Sequence, residues 1–341
     1  MQKRRLRNIE VSPIGMGCMG FSHGYGQIPE RSYSIEAIRR AHDFGCTFFD
    51  TAEGYGDVLY YAGHNEEIVG EAVKDFRKDI VLATKVYGNG VPDTVKDIEA
   101  DIRQRLEASM RRLQTDYVDL YYLHRMNDNV PVEEIATIMG RLIKEGKILG
   151  WGLSQVGIDT LRKAHEVTPV TAVQNLYNIL ERDCEQDIFP YCLEHNIGVV
   201  PFSPVASGFL SGKVTSTSQY EAKDDVRRFV PQLATEENIR GNQPILDIIK
   251  ALADSKQATP AQVSMAWMLH KYPNVVPIPG SKNQERILEN LGAWNVELTD
   301  EEFRAFEEAL SRCTVYGHRG VVESQQNSFG NQWRDKINSK G

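Results

Sequence analysis

The 341-residue sequence has no long hydrophobic run and few cysteines. No stretch approaches the roughly 18 consecutive apolar residues that a membrane-spanning helix needs, so we expect no membrane association. The five cysteines form no C-x-x-C pair and no metal-ligand spacing. This is typical of reduced thiols and predicts no metal site. The basic N-terminus lacks the apolar core of a signal peptide, so we predict a cytoplasmic protein.

An excess of positive charge is also missing. The chain has 39 Lys+Arg against 47 Asp+Glu, which gives a formal net charge of −8. This balance argues against non-specific nucleic-acid binding, and a small anionic ligand would need a local basic pocket. Hydrophobic residues make up 41% of the chain and charged residues 25%. These ordinary values exclude a disordered chain and a collagen-like fibre.

Short apolar runs alternate with helical patterns along the whole chain. Most of the runs are too continuous for half-exposed strands, so both faces should be buried, as in a parallel sheet. Eight such runs, each followed by a helical region, predict an α/β fold of the (β/α)₈ or TIM-barrel type. The predicted strands are Ile14–Met19, Thr47–Asp50, Ile80–Lys85, Val118–His124, Ile148–Ser154, Val170–Gln174, Val199–Ser203 and Val275–Pro279.

Segments of helical period lie between these runs. No Pro/Gly/Ser-rich linker divides the chain, so residues 1–341 are predicted to form a single domain. An extra helix follows the eighth unit, and residues 312–341 are predicted to be a tail over or near the barrel mouth. Residues 203–242 are long for a strand-to-helix loop, which is typical of a functional segment. The predicted helices are Ser32–Phe44, Glu66–Lys74, Thr94–Leu113, Val132–Lys144, Asp159–Glu166, Asp183–Glu194, Gln243–Ser255, Pro260–Tyr272, Asn283–Leu291 and Thr299–Ser311.

Two glycine-rich motifs imitate nucleotide-binding loops. Residues 15–20 read G-x-G-x-x-G, but the first convincing helix starts a dozen residues later, near Ser32. A Rossmann dinucleotide site needs that helix directly after the glycines, so these glycines are instead predicted to bring backbone close to a ligand. Residues 208–214 are one residue short of a P-loop and carry Val214 where a Mg²⁺-binding hydroxyl belongs. A nucleotide triphosphatase is therefore disfavoured.

Ionisable residues end three successive predicted strands. Asp50, Lys85 and His124 occupy these ends, and Tyr55 lies between two glycines in the loop after Asp50. In a barrel these ends converge on the active face. A lysine cation beside a phenol should lower the tyrosine pKa, and a carboxylate would hold the lysine in place. Such a tyrosine can protonate a carbonyl oxygen while a histidine hydrogen-bonds the same oxygen.

Each of these residues alone is more often a structural hydrogen-bonding group, but three longer motifs support the functional interpretation. The motifs are residues 48–56 with 65–70, residues 116–124, and residues 278–282 with Glu289 and Asn290. Together they resemble the signatures of the aldo-keto reductase family, over nearly the whole chain. The resemblance implies a catalytic tetrad of Asp50, Tyr55, Lys85 and His124.

The resemblance also implies NADPH bound in an extended form across the barrel mouth. Independent support comes from Ser281, Lys282 and Arg286, because a helix N-terminus with a hydroxyl and two cations suits a phosphate. Lys282 and Arg286 would grip the 2′-phosphate. The cofactor-binding residues implied are Gly20, Phe21, Asp50, Ser154, Gln174, Phe202, Ser203, Gly208, Leu210, Gly212, Lys213, Ser281, Lys282, Arg286, Glu289 and Asn290.

Individual roles follow from the same resemblance. Ser154 and Gln174 match positions that hold the nicotinamide carboxamide, and Phe202 matches an aromatic that stacks on the ring. The family often has Asn directly after that serine, where this chain has Gln155. Residues 203–213 resemble the loop that wraps the pyrophosphate, with Lys213 as its partner.

Candidate substrate-pocket residues are Tyr25, Tyr87 and Arg125, with Phe21 and Trp333 as further possibilities. Aromatics at loop tips serve packing as often as binding. Arg125 could attract a substrate carboxylate or pair with an acidic loop.

The leading hypothesis is an NADP-dependent aldo-keto reductase that reduces an aldehyde or ketone, with a small-molecule carbonyl substrate as its partner. The alternative is an NADP(H)-binding regulatory or redox-sensor subunit of the same fold with little turnover. A third hypothesis is a lyase or aldolase that uses Lys85 as a Schiff base. The sequence leaves the substrate and the oligomeric state open.

Overall fold

A parallel sheet curls around the centre of the molecule. The computed structural model describes residues 2–126, 129–215, 218, 220 and 225–318. A two-stranded antiparallel hairpin precedes seven parallel strands, which lie side by side in chain order. The strands are β1 (Arg4–Leu6), β2 (Ile9–Val11), β3 (Met16–Gly17), β4 (Phe48–Asp50), β5 (Val81–Val86), β6 (Val118–Leu123), β7 (Ile148–Ser154), β8 (Ala172–Gln174) and β9 (Gly198–Val199).

Residues 275–280 occupy the eighth strand position and close the sheet into a barrel. On one side Val276 and Ile278 donate their N–H groups to the carbonyls of Val199 and Pro201, at 2.8 and 3.1 Å. On the other side the carbonyls of Pro277 and Pro279 accept from residues 15 and 17. Prolines have no N–H, so they are tolerated only where the strand accepts rather than donates. The predicted (β/α)₈ barrel is therefore confirmed.

Helices surround the barrel in the predicted order. The segment predicted as one helix from Asp183 is instead a 3₁₀ turn (Asp183–Glu185) followed by a short α-helix. The helices are α1 (Arg31–Asp43), α2 (His64–Val73), α3 (Ile98–Arg112), α4 (Val132–Lys144), α5 (Ile158–Val167), α6 (Ile188–Glu194), α7 (Pro231–Ala234), α8 (Glu236–Gly241), α9 (Gln243–Lys256), α10 (Pro260–Lys271), α11 (Gln284–Leu291) and α12 (Asp300–Ser311). Within the described ranges no helix is long and apolar enough to cross a membrane.

Local capping sets several helix starts. The Asp97 carboxylate accepts from the N–H of Ala100, so α3 begins at Ile98 rather than at the predicted Thr94. Thr259 and Thr299 each form a capping box that opens α10 and α12. Such caps satisfy N–H groups that have no partner inside the helix.

The N-terminal hairpin, which the sequence analysis missed, covers the bottom of the barrel. Leu6, Ile9 and Val11 join the apolar cluster inside the barrel. A side chain at Gly198, the first residue of β9, would place its Cβ 2.4 Å from Leu6 Cδ2. The hairpin therefore packs directly against the strand starts, opposite the strand ends that carry the ionisable residues.

Short helical pieces fill the long segment after β9. They include 3₁₀ turns over Ala206–Ser211 and Val226–Phe229. The last described residues pack beside this segment, because Tyr316 exchanges two hydrogen bonds with Asn242, at 2.8 and 3.0 Å. The remainder of the predicted tail, residues 319–341 with Trp333, lies outside the described residues.

Candidate active site

Strand register brings the predicted catalytic residues to one end of the barrel. Asp50 ends β4 and pairs with Ala83 of β5, two residues before Lys85. The next strand, β6, ends at Leu123, and His124 follows at once with its N–H on the carbonyl of Val86. Because parallel strands end at the same edge, three side chains from three strands converge there.

Lys85 lies at the centre of this group. Its ammonium donates to the Asp50 carboxylate, to the Thr51 carbonyl at 2.7 Å and to the Tyr55 hydroxyl at 3.1 Å. The Lys85 side chain is 0% exposed and that of Asp50 2% exposed. Gln174 at the end of β8 donates from Nε2 to the second Asp50 oxygen at 2.8 Å. A charged amine with this many partners is held rigidly toward Tyr55.

Burial and charge act in opposite directions on these groups. Burial disfavours the Lys85 ammonium, but Asp50 and Tyr55 outweigh it, so the pKa of Lys85 is raised. Burial also raises the pKa of Tyr55, and Lys85 offsets only part of that rise. The lysine cation lowers the tyrosine pKa as expected, but desolvation is larger than this effect, so the pKa of Tyr55 lies above its ordinary value. Tyr55 is a protonated phenol at neutral pH.

Two histidines flank the Tyr55 ring. His124 meets it edge-on with ring centroids 5.6 Å apart, and His23 lies at 5.5 Å. Nδ1 of His124 is buried and has no hydrogen-bond partner among the described residues. Burial, with the nearby Arg125 and Lys85 cations, lowers the pKa of His124 well below its usual range. Its imidazole is therefore neutral.

A cavity of about 1120 Å³ opens above these residues. This volume exceeds the roughly 300–1,000 Å³ of ordinary small-molecule pockets. Most of the predicted site residues line it: Gly20, Tyr25, Asp50, Tyr55, Tyr87, His124, Arg125, Ser154, Gln174, Phe202, Ser203, Gly208, Lys213, Ser281, Lys282, Arg286, Glu289 and Asn290.

Four predicted site residues do not line the cavity. Lys85 is buried beneath its floor, where it contacts Tyr55 from behind. The Phe21 and Leu210 side chains are buried in the surrounding core, so any ligand contact there would involve backbone. Gly212 packs against the Lys250 side chain: a Cβ added to Gly212 would lie 3.2 Å from Lys250 Cε.

Sequence comparison assigns this chain to a family. The model of the aldo/keto reductase family matches residues 13–311. The chain belongs to the aldo/keto reductase family. It is 38% identical over 326 residues to the probable aldo-keto reductase 1 of Glycine max, covering 93% of this chain and 90% of the relative. Membership supports an oxidoreductase activity on carbonyl compounds.

Solved structures of similar proteins agree with this assignment. The glycerol dehydrogenase of Gluconobacter oxydans superposes with a TM-score of 0.81 at 27% identity, covering 94% of this chain and 98% of that one. An aldo/keto reductase from Klebsiella pneumoniae, solved in complex with NADP and acetate, has a TM-score of 0.69 at 28% identity. That match covers 93% of this chain and 100% of that one.

One wall of the reductase cavity is basic. Lys282 Nζ donates to the carbonyls of Tyr25 and Gln27, at 2.6 and 2.5 Å, and so ties down the loop after the 3₁₀ turn at 19–21. Arg286 is exposed at the start of α11, and Lys213 lies at the other side of the mouth. The wall combines two cations with a helix N-terminus, as phosphate sites do.

The loop between β9 and α7 has strained backbone, and two of its strained residues, Ser203 and Ser207, line the cavity. Ser203, Ala206 and Ser207 have φ values of 52°, 47° and 54°. Non-glycine residues with positive φ cluster at functional segments because the surrounding structure must impose them. This agrees with a loop shaped to wrap a ligand.

Gln155 is turned away from the cavity. Its side-chain oxygen accepts the N–H of Leu176 at 3.1 Å, and its own φ is 55°. The residue is 1% exposed and does not line the cavity wall. Gln155 therefore holds the chain after β8 in place. Ser154 and Gln174, at the ends of β7 and β8, are the polar side chains that line the cavity here.

A polar network on the opposite wall was missed from sequence. The Glu53 carboxylate accepts from the Tyr87 N–H at 3.0 Å and from Arg105 at 3.1 Å. Asp101 accepts from the Tyr87 hydroxyl and from Arg105 Nε, both at 2.6 Å. Asp101 and Arg105 form an i,i+4 pair on α3, which in sequence is typical of an ordinary solvated helix face. Only the position of α3 over the loop after β4 brings the pair to the cavity.

Proposed function

We propose that the protein reduces an aldehyde or ketone to an alcohol with NADPH, and that Tyr55 supplies the proton. The observation that carries the proposal is the Tyr55 hydroxyl at 3.1 Å from the buried Lys85 ammonium, at the floor of the cavity. A proton-donating phenol must be neutral before the reaction and ionised after it. A buried ammonium beside the hydroxyl suits this role, because it stabilises the phenolate.

The residues around the cavity fit the cofactor. Lys282, Arg286 and Lys213 match phosphate groups, Phe202 offers a flat ring, and Ser154 and Gln174 offer the hydrogen bonds that a carboxamide needs. The related Klebsiella pneumoniae structures contain NADP or NADPH. When bound, NADPH supplies the hydride.

The chain's own residues then handle the proton. Burial keeps the pKa of Tyr55 above its ordinary value, so the phenol holds its proton until a basic oxygen arrives. As the proton leaves, the Lys85 ammonium stabilises the phenolate, and Asp50 keeps that ammonium in place. The neutral His124 can donate an N–H to the same substrate oxygen, which orients the carbonyl toward Tyr55.

The Schiff-base alternative loses support. A Schiff base requires a neutral amine, yet the pKa of Lys85 is raised and its ammonium is bonded to Asp50. The buried side chain also does not line the cavity that a substrate would enter.

NADPH oxidation at 340 nm, measured with a panel of short, aryl, sugar and keto-acid carbonyl compounds, tests the proposal. We expect saturable turnover with at least one class. Tight NADPH binding without turnover across the panel would overturn the reductase and favour the regulatory or sensor alternative.

We also propose that residues 1–341 form one domain and that residues 312–341 lie near the barrel mouth. Gly317, in the described start of the tail, supports the second proposal. An added Cβ there would lie 2.6 Å from the backbone of Pro231, and the preceding residue, Val230, lines the cavity. The cytoplasmic location stays a prediction.

A further inference from the structure

We propose that Arg125 binds a carboxylate of the substrate, so that the preferred substrates are short carbonyl compounds that carry a carboxylate group. This rests on the proposed reductase function and names the substrate class of the same site. It follows from the partners of the arginines that line the cavity.

Five of the arginines that the structure describes line the cavity, and carboxylates neutralise three of them. Arg105 pairs with Glu53 and Asp101, Arg112 with Glu66 and Arg227 with Asp225. In the described part of the chain, no carboxylate pairs with either of the remaining two, Arg125 and Arg286. Arg286 lies on the wall that suits a cofactor phosphate. Arg125 is left as a second anion-binding group, and it lies beside the catalytic residues.

Arg125 is fixed next to the reaction centre. Nη1 donates to the His124 carbonyl at 2.5 Å and to Ser154 Oγ at 3.0 Å. These two bonds use the hydrogens of Nη1, so the three hydrogens on Nε and Nη2 are left without an acceptor among the described residues. Two parallel N–H groups, one on Nε and one on Nη2, match the two oxygens of a carboxylate.

The net charge of the proposed catalytic residues and Arg125 also favours a ligand with a single negative charge. Asp50 and Lys85 neutralise each other, Tyr55 is protonated and His124 is neutral, so among the described residues Arg125 adds one uncompensated positive charge. Burial lowers the pKa of Arg125 to about 10, which still leaves the guanidinium charged at neutral pH. A carboxylate would restore neutrality, whereas a phosphate dianion would overcompensate.

The acidic side chains on the substrate side are already engaged. Glu53 and Asp101 accept hydrogen bonds from Arg105 and Tyr87. They therefore form a closed network on the wall and do not serve as counterions of Arg125.

The test compares matched anionic and neutral substrates, with kcat/KM for NADPH-dependent reduction as the readout. The carboxylate pair is 4-oxobutanoate and butanal, and the phosphate pair is glyceraldehyde 3-phosphate and glyceraldehyde. The wild-type protein should prefer 4-oxobutanoate over butanal by about 10- to 100-fold, the size expected for charge-assisted hydrogen bonds. In Arg125→Met this ratio should fall to near one, and Arg125→Lys should retain part of it.

Arg286→Met is the matched control, because it removes the other unpaired guanidinium of the cavity. It should raise the KM for NADPH and leave the ratio of 4-oxobutanoate to butanal unchanged. A second readout needs no turnover: butanoate, but not butanamide, should raise the thermal midpoint of the wild-type protein and not that of Arg125→Met. The midpoint of unliganded Arg125→Met also shows that the variant is folded.

Distinct results would overturn the inference. A wild-type ratio near one, or a ratio that persists in Arg125→Met, would show that Arg125 binds no substrate anion. Equal losses for both substrates would assign Arg125 to positioning Ser154 instead. A larger preference for the phosphate pair, lost in Arg125→Met, would replace the carboxylate by a phosphate. If neither butanal nor any other carbonyl is reduced, the proposed function itself fails.

Discussion

The surroundings of Tyr55 decide which protonation state the site presents to a substrate. The phenol has a lysine cation at 3.1 Å and histidine rings on two sides, yet burial dominates and raises its pKa. The residue types of this group follow from the strand ends in the sequence. The direction of the shift in the pKa of Tyr55 cannot be read from the sequence, because it depends on how completely the phenol is desolvated.

The pH dependence of reduction follows from these directions. His124 stays neutral above its depressed pKa, and Tyr55 keeps its proton below its raised pKa. Neither group then changes charge between about pH 6 and 9. We expect kcat/KM with a neutral aldehyde to be flat over this range and to fall at higher pH, as the phenol ionises.

A pH–rate profile with butanal measures this directly. An inflection at about pH 6.5, the ordinary histidine value, that disappears in His124→Gln would contradict the neutral imidazole.

At the scale of elements, the barrel was predictable and its lower closure was not. Buried strands of a parallel sheet leave continuous apolar runs, so β5, β6 and β7 are visible in the sequence. The hairpin β1–β2 has strands of three residues each, with two arginines in the first. Its position depends on Leu6 fitting against Gly198, a contact between residues far apart in the chain.

The hairpin should contribute measurably to stability. Leu6 is 0% exposed inside the barrel, so Leu6→Ala should lower the free energy of unfolding by about 2–5 kcal/mol. Urea-induced unfolding followed by circular dichroism measures the change. The exposed neighbour Arg5 provides the control, since Arg5→Ala should change stability by less than about 0.5 kcal/mol. Similar effects of the two substitutions would show that the hairpin is not part of the core.

The candidate site shows the same division between what is visible in sequence and what is not. The four predicted catalytic residues and the basic wall could be named from motifs, and the fold brings all of them to one cavity except Lys85, which lies beneath its floor. The Glu53–Arg105–Asp101 network and the orientation of Gln155 away from the cavity depend on packing between elements. No local pattern marks such contacts.

At the scale of the whole molecule, the net negative charge means that an anionic ligand can bind only where cations are clustered locally. The chain carries a formal net charge of −8, so long-range attraction does not explain binding of a phosphate-bearing cofactor. We propose that the local cations Lys213, Lys282 and Arg286, which line the cavity, provide this attraction. Lys282 also holds the Tyr25 and Gln27 carbonyls, so Arg286 gives the cleaner test.

Arg286→Ala should weaken NADPH binding by about 10- to 100-fold and NADH binding by less than about twofold, because only NADPH carries the 2′-phosphate. Titration calorimetry with both cofactors measures the two affinities. Arg304→Ala removes the same charge from the exposed outer face of α12 and should change neither affinity. Equal losses for NADPH and NADH in Arg286→Ala would show that Arg286 does not contact the phosphate.

The most direct test of the account is the turnover of Tyr55→Phe, measured beside its affinity for NADPH. The substitution removes the hydroxyl that contacts Lys85 and preserves the ring between His23 and His124. We expect kcat for aldehyde reduction to fall at least about 100-fold, with NADPH affinity changed less than about twofold. Turnover close to that of the wild-type protein would contradict the assignment of Tyr55 as the proton donor.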